Sequence, residues 1–244
     1  MLRLGMSLLL LCACVETVAA QTQTYYPFED VHRQWETAGF AGVSTIEEHS
    51  FLTPIDGGAL GFQNVGLRYA SGYQIGWRIN ENLGDFWNSN LEVSFANQPL
   101  TFTNLSPSVP SLSLSHSVTH FTYAMSYLPR ARDKRFRPYA SIGTGAALFY
   151  ITSSSKEFAL QQGVSLRDNW NFVGLFGGGF KYLTADHVAV SFDVRDNLTS
   201  FPTYGLSPTA TVVNGQLLPG FNPRGTMQNW QLNFGIAYQW DREW

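Results

Sequence analysis

Five charged residues stand in the middle of apolar segments, where a charge needs an ion-pair partner or has a function such as ion binding. They are Arg78, Glu92, Lys181, Asp193 and Arg195. Each alternates with apolar neighbours at a period of two, so all five belong to the polar face of a β-strand. An unpaired buried ion costs several kcal/mol, so we predict one charge network of the two acids with the three bases. Such a network can fill a polar core, which is the favoured interpretation, or line a narrow or gated path for ions.

The histidines offer a second chemistry, acyl hydrolysis, which needs a nucleophile and a base within reach of each other. The runs 48–50 (Glu-His-Ser) and 115–117 (Ser-His-Ser) bring suitable residue types together, but lie near loop ends without a third positioned group. His116 and His120 are four residues apart, which on a strand separates them by about 13 Å on one face. We therefore predict no catalytic residue, no metal site and no cofactor.

The elements that position these residues are strands with two different faces. Along residues 230–240 the even positions read Trp, Leu, Phe, Ile, Tyr, Trp and the odd positions read Gln, Asn, Gly, Ala, Gln. This alternation is the signature of a β-strand with one apolar face. Seven further strands are predicted, at about 73–80, 91–96, 120–127 and 188–195, and less regularly at 37–49, 137–151 and 170–183. No helix is predicted within the body of the chain.

The connections between these strands alternate between short and long. Short, turn-like links are expected at 81–85, 129–135 and 184–186, and long links at 50–72, 97–115, 152–169 and 199–229. Short turns at one end and long loops at the other are typical of bacterial outer-membrane barrels. The pattern predicts an even-stranded barrel with both chain ends on the side of the turns.

The direction of the apolar face decides between a soluble barrel and a membrane barrel. A lipocalin-like barrel would hold its apolar side inside. Here only 14% of the residues are charged, and the mid-strand charges belong inside rather than on so uncharged a surface. Tyrosine and tryptophan near strand ends suit an interfacial aromatic girdle; the expected members are Trp77, Tyr127, Tyr182, Tyr238 and Trp240. We therefore predict an all-β fold: an eight-stranded antiparallel up-and-down transmembrane β-barrel with a polar, largely filled lumen.

Glycine and alanine are concentrated in the fifth and sixth strands. The residues are Gly143, Gly145, Ala146, Ala147, Gly174, Gly177, Gly178 and Gly179. Glycine within a strand often marks a close approach. We expect these residues to make room for bulky neighbours in the lumen, and a substrate cleft is the alternative.

The first twenty residues read as an export signal. A basic Arg3, an apolar run and the small residues 18–20 predict cleavage after Ala20, although a lipobox-like run ending at Cys14 would instead give a lipidated chain. Cleavage after Ala20 removes both cysteines, so no disulfide is expected. The predicted organisation is a signal peptide at 1–20, an N-terminal periplasmic segment at 21–36 and a barrel domain at 37–244. No apolar run beyond the signal reaches about 18 residues, so no transmembrane helix is predicted.

From about residue 36 to the end, the chain resembles the small bacterial outer-membrane β-barrel proteins of the OmpA/OmpX/OmpW kind. The resemblance is carried by the export signal, the eight strands and the terminal aromatic strand. It implies a C-terminal signal read by the barrel-assembly machinery, formed by Leu232, Phe234, Ile236, Tyr238, Trp240 and Trp244.

The resemblance also implies a monomer in the bacterial outer membrane, in contact with membrane lipid and lipopolysaccharide. Because the net charge is −3, no nucleic-acid partner is expected. The favoured function is a structural or surface-interaction role. A small porin-like channel for ions or small solutes is the alternative, and a lipid A-modifying hydrolase is the second alternative, since the fold alone does not determine activity.

Overall fold

The computed structural model describes residues 35–54, 62–106, 109–131, 134–209, 211–213, 216–218 and 220–240. Eight long strands form a closed barrel. With all strands numbered in chain order, these are β1 (Trp35–Ile46), β4 (Gly72–Asn82), β5 (Trp87–Asn97), β8 (His116–Tyr127), β9 (Phe136–Ile151), β10 (Asn169–Ala185), β11 (Val188–Ser200) and β14 (Thr226–Trp240).

Every barrel strand pairs antiparallel with the next barrel strand along the chain, and β1 closes on β14. The predicted eight-stranded antiparallel up-and-down barrel is thus confirmed. Three short connections, 83–86, 128–135 and 186–187, lie at one end of the barrel, where Trp35 pairs with Trp240. We call this the turn end and the opposite one the loop end.

The two faces of each barrel strand differ as the alternation predicts. Along β14 every even position from Trp230 to Trp240 is exposed, and every odd position between them is buried. Between Trp230 and Trp240 the outward residues are large and apolar, whereas the inward residues are amides or small residues. The apolar face therefore points away from the lumen.

The long connections at the loop end are folded, which the strand pattern did not predict. β2 (His49–Pro54), β3 (Phe62–Tyr69), β6 (Leu100–Ser106) and β7 (Val109–Leu114) form a second sheet, in the order β2-β3-β6-β7. β12 (Thr211–Val213) and β13 (Gln216–Leu218) form a short hairpin. We call the four-stranded sheet the loop-end sheet.

A helix, α1 (Ser153–Gln161), interrupts the third long connection, where no helix was predicted. Its sequence holds no glycine, no proline and no β-branched residue, and five of its nine residues (Lys, Glu, Ala, Leu, Gln) are good helix formers. At nine residues it is too short for a clear helical period, and it buries only Ala159. No helix among the described residues is long and apolar enough to span a membrane.

An apolar core fills the loop end of the barrel and the space beneath the loop-end sheet. It combines inward residues of the barrel strands with residues of the long connections. Fully buried members include Val65, Leu67, Leu100, Phe102, Leu112, Val118, Ala147, Phe149, Ile151, Val164, Val173, Tyr204, Phe221 and Met227. We call this group the loop-end core.

The first barrel strand begins earlier than the sequence indicated. β1 starts at Trp35, two residues before the expected domain boundary, and Glu36 is buried inside the barrel. The expected signal peptide, Cys14 and Trp244 lie outside the described residues.

Candidate functional site: the polar lumen and its two ends

Four of the five mid-strand charges meet inside the lumen. Pairing of β4 with β5 sets Arg78 directly opposite Glu92, and Arg78 Nε donates to Glu92 Oε2 at 2.7 Å. Arg195 Nη1 donates to the same oxygen at 2.5 Å, and Arg195 Nε lies 2.7 Å from Asp193 Oδ1. Arg78 Nη2 reaches Asp193 Oδ2 at 3.4 Å. Two cations and two anions therefore balance in one buried group, which we call the ion quartet.

Lys181 stands apart from the quartet and belongs to a second polar group near the turn end. Its Nζ donates to Glu36 Oε1 at 2.6 Å. The same carboxylate accepts from Asn80 Nδ2 at 2.5 Å and from Gln239 Nε2 at 2.8 Å. Glu36 is 1% exposed, so its charge depends on these three donors. The mid-strand charges form two groups rather than the single network expected.

Sequence reasoning missed Glu36 because it assigned this residue to a periplasmic segment. A signal was nevertheless present, because Glu36 shares the even phase of Ala38 and Phe40, and all three are buried. Extending the strand by one dipeptide would have placed its carboxylate in the lumen.

Amide side chains continue the polar lumen from the quartet towards the loop end. Asn233 Nδ2 donates to Asp193 Oδ1 at 3.2 Å, and Gln74 Nε2 donates to Gln231 Oε1 at 3.0 Å and Asn233 Oδ1 at 3.1 Å. Further along, Ser44 Oγ donates to Asn229 Oδ1 at 2.6 Å. These bonds tie β1, β4, β11 and β14 together across the lumen.

A chain of three hydroxyl and imidazole groups crosses the loop-end core. His116 Nδ1 lies 2.9 Å from the carbonyl oxygen of Gln98, and a carbonyl can only accept, so Nδ1 carries the proton. His116 Nε2 must then accept from Tyr204, 3.1 Å away, and the Tyr204 oxygen accepts from Tyr69 at 2.8 Å. Burial raises the pKa of both tyrosines, so both remain neutral donors.

A small cavity beside the quartet is bounded by Arg78, Asn80, Asn88, Asn90, Ser126, Leu128, Tyr139 and Lys181. It has room for about one water molecule. Asn90 Oδ1 in this lining is buried without a hydrogen-bond partner, as is Ser94 Oγ on the same strand.

The expected girdle residues lie at two levels of the barrel wall. Tyr127, Tyr182, Tyr238 and Trp240 are exposed close to the turn end. Trp77 is also exposed, but it lies four residues before Glu81, which stands at the turn end of β4, and it pairs with Gly39 and Val93. Its Nε1 donates to Thr37 Oγ1 at 2.7 Å. It therefore satisfies its N–H within the wall.

The terminal residues expected to carry the assembly signal share one face of β14. Leu232, Phe234, Ile236, Tyr238 and Trp240 are all exposed on its outer side. Trp244, the sixth expected member, lies outside the described residues.

The histidines considered for hydrolysis are placed as follows. Both ring nitrogens of His116 are engaged, by Gln98 and Tyr204 rather than by a neighbouring serine. His120 is buried in the lumen, and its Nδ1 has no hydrogen-bond partner. Among the residues that the structure describes, no three His, Cys, Asp or Glu side chains are grouped so as to hold a metal ion.

The glycines of β9 and β10 lie where strands approach closely. A Cβ on Gly145 would meet the carbonyl oxygen of Phe121, and a Cβ on Gly179 would meet that of Phe192. These two positions admit no side chain without backbone movement. Both close approaches are between neighbouring strands of the barrel wall.

The fold is similar to those of solved outer-membrane barrels. The outer membrane protein OprG from Pseudomonas aeruginosa is 17% identical, with a TM-score of 0.56 over 87% of this chain and 99% of that one. Neisserial surface protein A is 11% identical, with a TM-score of 0.48 over 87% and 100% of the two chains. Outer membrane protein AlkL, solved in lipid bilayers, is 13% identical, with a TM-score of 0.49 over 92% and 99%.

No family model matches the chain, and no curated protein matches it in sequence. The similarity to OprG concerns the fold. This fold is the closed eight-stranded barrel of small outer-membrane proteins, which the alternation in the eight predicted strands had indicated.

Proposed function

We propose that this chain is an integral protein of a bacterial outer membrane, with a structural or surface-interaction role. The belt of outward aromatic and aliphatic side chains supports this location, because the outer wall of a membrane barrel carries such an apolar band against lipid. Trp230 and Trp240 on β14 are ten residues apart, which corresponds to about 26 Å along the barrel axis at a tilt of about 40°. That height matches an apolar band of about 25 Å.

The side chains that occupy the lumen are the observation that supports the structural role. The ion quartet occupies its middle, the Glu36–Lys181 group lies near the turn end, and the loop-end core lies at the other. A barrel of eight strands is just wide enough for its side chains to fill it. The barrel then acts as an anchor that holds the folded loop-end sheet at the cell surface.

Planar-bilayer recording tests this role. The purified wild-type protein is expected to insert without conductance steps, because ion-paired side chains and apolar groups occupy its lumen. Asp193→Ala is expected to be silent as well. Steps in the wild type whose size falls in Asp193→Ala would contradict the structural role and establish the competing one.

A narrow channel is the competing function, and the polar lining of the lumen favours it. Buried atoms without a protein partner, such as His120 Nδ1 and Ser94 Oγ, are positions where water would bind. A continuous file of such waters would conduct small ions, and the same recording distinguishes the two functions.

Cysteine labelling on intact cells tests the orientation. Ser111 on β7 and Asp186 in a short turn are both exposed, at opposite ends of the barrel. A membrane-impermeant maleimide is expected to label Ser111→Cys in intact cells and Asp186→Cys only after the outer membrane is opened. Labelling of Asp186→Cys in intact cells would contradict the orientation, and labelling of neither before lysis would contradict the location.

The partners proposed with this role are lipid, lipopolysaccharide and the barrel-assembly machinery, with the protein as a monomer. The outward row from Leu232 to Trp240 on the closing strand supports recognition during assembly, because it forms a continuous apolar face. Replacing Phe234 by Asp is expected to lower the folded barrel in the membrane, and Gln231→Asp on the inner face of the same strand separates loss of recognition from loss of stability.

A further inference from the structure

Asp196 is a carboxylate on the lipid side of the barrel wall. On β11 the residues Val190, Phe192 and Val194 point outward while Asp193 and Arg195 point into the lumen, so Asp196 stands in the outward phase. Among the outward positions of the eight described barrel strands, the only other residue with a formal charge is Glu81, next to a short turn. An ionisable group in such a belt is costly and marks a functional site by default.

Two aromatic rings cover this carboxylate. Its cross-strand neighbours are Phe176 on β10 and Trp230 on β14, whose rings meet nearly edge to face with 6.5 Å between centroids. Asp196 has no exposed surface, and neither of its carboxylate oxygens has a hydrogen-bond partner of normal geometry. The backbone N–H of Asn229 points towards it. A negative group is thus held under two rings without a countercharge.

The surroundings of Asp196 select for a cation. Glu47 lies close enough to interact with it electrostatically and adds a second negative charge. A divalent metal needs several oxygen ligands, and among the described residues no three metal-binding side chains come together. An ammonium group needs fewer ligands than a divalent metal, because one carboxylate and the faces of aromatic rings are enough to bind it.

The level of the site in the wall identifies the source of that ammonium. Asp196 pairs with Trp230, which stands about 26 Å above Trp240 and hence at the loop-end edge of the apolar band. Lipid headgroups begin at this level. Phe176 and Trp230 are 43% and 39% exposed, so both rings border the surroundings of the barrel, and contact with the carboxylate requires at least one of them to rotate.

We propose that Asp196, Phe176 and Trp230 form a binding site for an ammonium group on an outer-leaflet lipid, such as an amine-bearing lipopolysaccharide, with phosphatidylethanolamine as a probe of that ammonium. The site binds the ammonium through a charge-assisted contact with Asp196 and through the faces of the two rings. The inference rests on the proposed membrane location and goes beyond it, since it names a headgroup chemistry and the residues that select it.

Native mass spectrometry of the full chain tests the site. The protein is released from micelles that contain equal amounts of phosphatidylethanolamine and phosphatidylglycerol with the same acyl chains, and the ratio of the two bound lipids is measured. Wild type is expected to retain phosphatidylethanolamine with about tenfold preference, and Asp196→Asn is expected to lower that preference to less than twofold.

Glu48→Gln is the matched control, because it removes one carboxylate charge near the loop end and leaves Asp196 and both rings in place. It is expected to keep the wild-type preference. Trp230→Leu keeps the acid and removes one ring, and it is expected to lose part of the preference. If Asp196→Asn does not fold, Trp230→Leu tests the site on its own.

Two results would overturn the site: equal lipid ratios in wild type and both site variants, or retention of phosphatidylglycerol that EDTA abolishes, which would indicate a metal-bridged phosphate. Heat-modifiable migration on SDS gels shows separately whether each variant forms the barrel. A folded, membrane-inserted barrel with no headgroup preference would contradict this inference without contradicting the proposed location.

Discussion

Glu92→Gln should be among the most destabilising conservative substitutions in this protein. Its Oε2 accepts from Arg78 Nε at 2.7 Å and from Arg195 Nη1 at 2.5 Å, and all three side chains are at most 3% exposed. Glutamine keeps the shape and removes the charge, which leaves two guanidinium groups to share the single carboxylate of Asp193. Leaving one buried charge uncompensated costs about 3–5 kcal/mol.

Equilibrium unfolding in urea, with the barrel in lipid vesicles and followed by tryptophan fluorescence, measures this loss. A change of 3–5 kcal/mol corresponds to about 10² to 10⁴ in the folded-to-unfolded ratio, well above the error of extrapolation. The midpoint should shift to lower urea while the slope stays unchanged, because the surface exposed on unfolding is the same.

Glu48→Gln is the matched control. Glu48 pairs with Arg68 at 3.6 Å, but the two side chains are 65% and 68% exposed, so the expected loss is at most about 1 kcal/mol. The double variant Glu92→Gln/Arg195→Gln restores neutrality, with Arg78 facing Asp193, and should lose less than the sum of the single variants. Equal small losses for Glu92→Gln and Glu48→Gln, or simple additivity in the double variant, would refute the reasoning from a neutral buried quartet.

Three further substitutions probe the two ends of the lumen. Glu36→Gln removes the anion that holds Lys181 and should lower the free energy of unfolding by about 3 kcal/mol in the same urea assay. Tyr204→Phe removes the donor to His116 Nε2 and should cost about 1–3 kcal/mol, measured as a lower thermal midpoint. Phe102→Ala opens a cavity in the loop-end core and should cost about 3–5 kcal/mol, measured as faster proteolysis of the loop-end sheet while the barrel remains heat-modifiable.

Each of these variants has a partner on the outer wall that should lose less. Glu81→Gln, Tyr73→Phe and Phe172→Ala make the same chemical changes at partly or largely exposed positions. Equal effects of an inner variant and its outer partner would contradict the assigned burial. Loss of heat-modifiability in Phe102→Ala would show instead that the loop-end core and the barrel unfold as one unit.

The barrel itself was accessible from sequence because its signal is local. Strict alternation on β14 and four other strands sets which side chains share a face, and this follows from strand geometry alone. Even Asp196 could have been found in this way, since it continues the outward phase of Val190, Phe192 and Val194. Its neighbours Phe176 and Trp230 could not, because they depend on the registers of two separate strand pairs.

The folded loop end was not accessible in the same way. Leu100 and Phe102 on β6, and Leu112 and Leu114 on β7, alternate at a period of two but lie in segments rich in Ser, Thr, Asn and Pro that read as loops. The loop-end sheet becomes stable because the barrel rim holds the ends of these segments together, and their apolar faces then cover one core. α1 depends in the same way on contacts outside its nine residues.

By itself, the sequence determined which residues face outward and which face the lumen, because a strand allows only two directions for its side chains. It also determined that charges would lie inside and had to be paired. Only the tertiary structure decided the partners: Glu36 reaches Lys181 across 145 positions of the chain, and Phe176 and Trp230 close over Asp196 from two different strands. The physical reason is that alternation sets the face of a residue, whereas register and closure of the barrel set its height and neighbours.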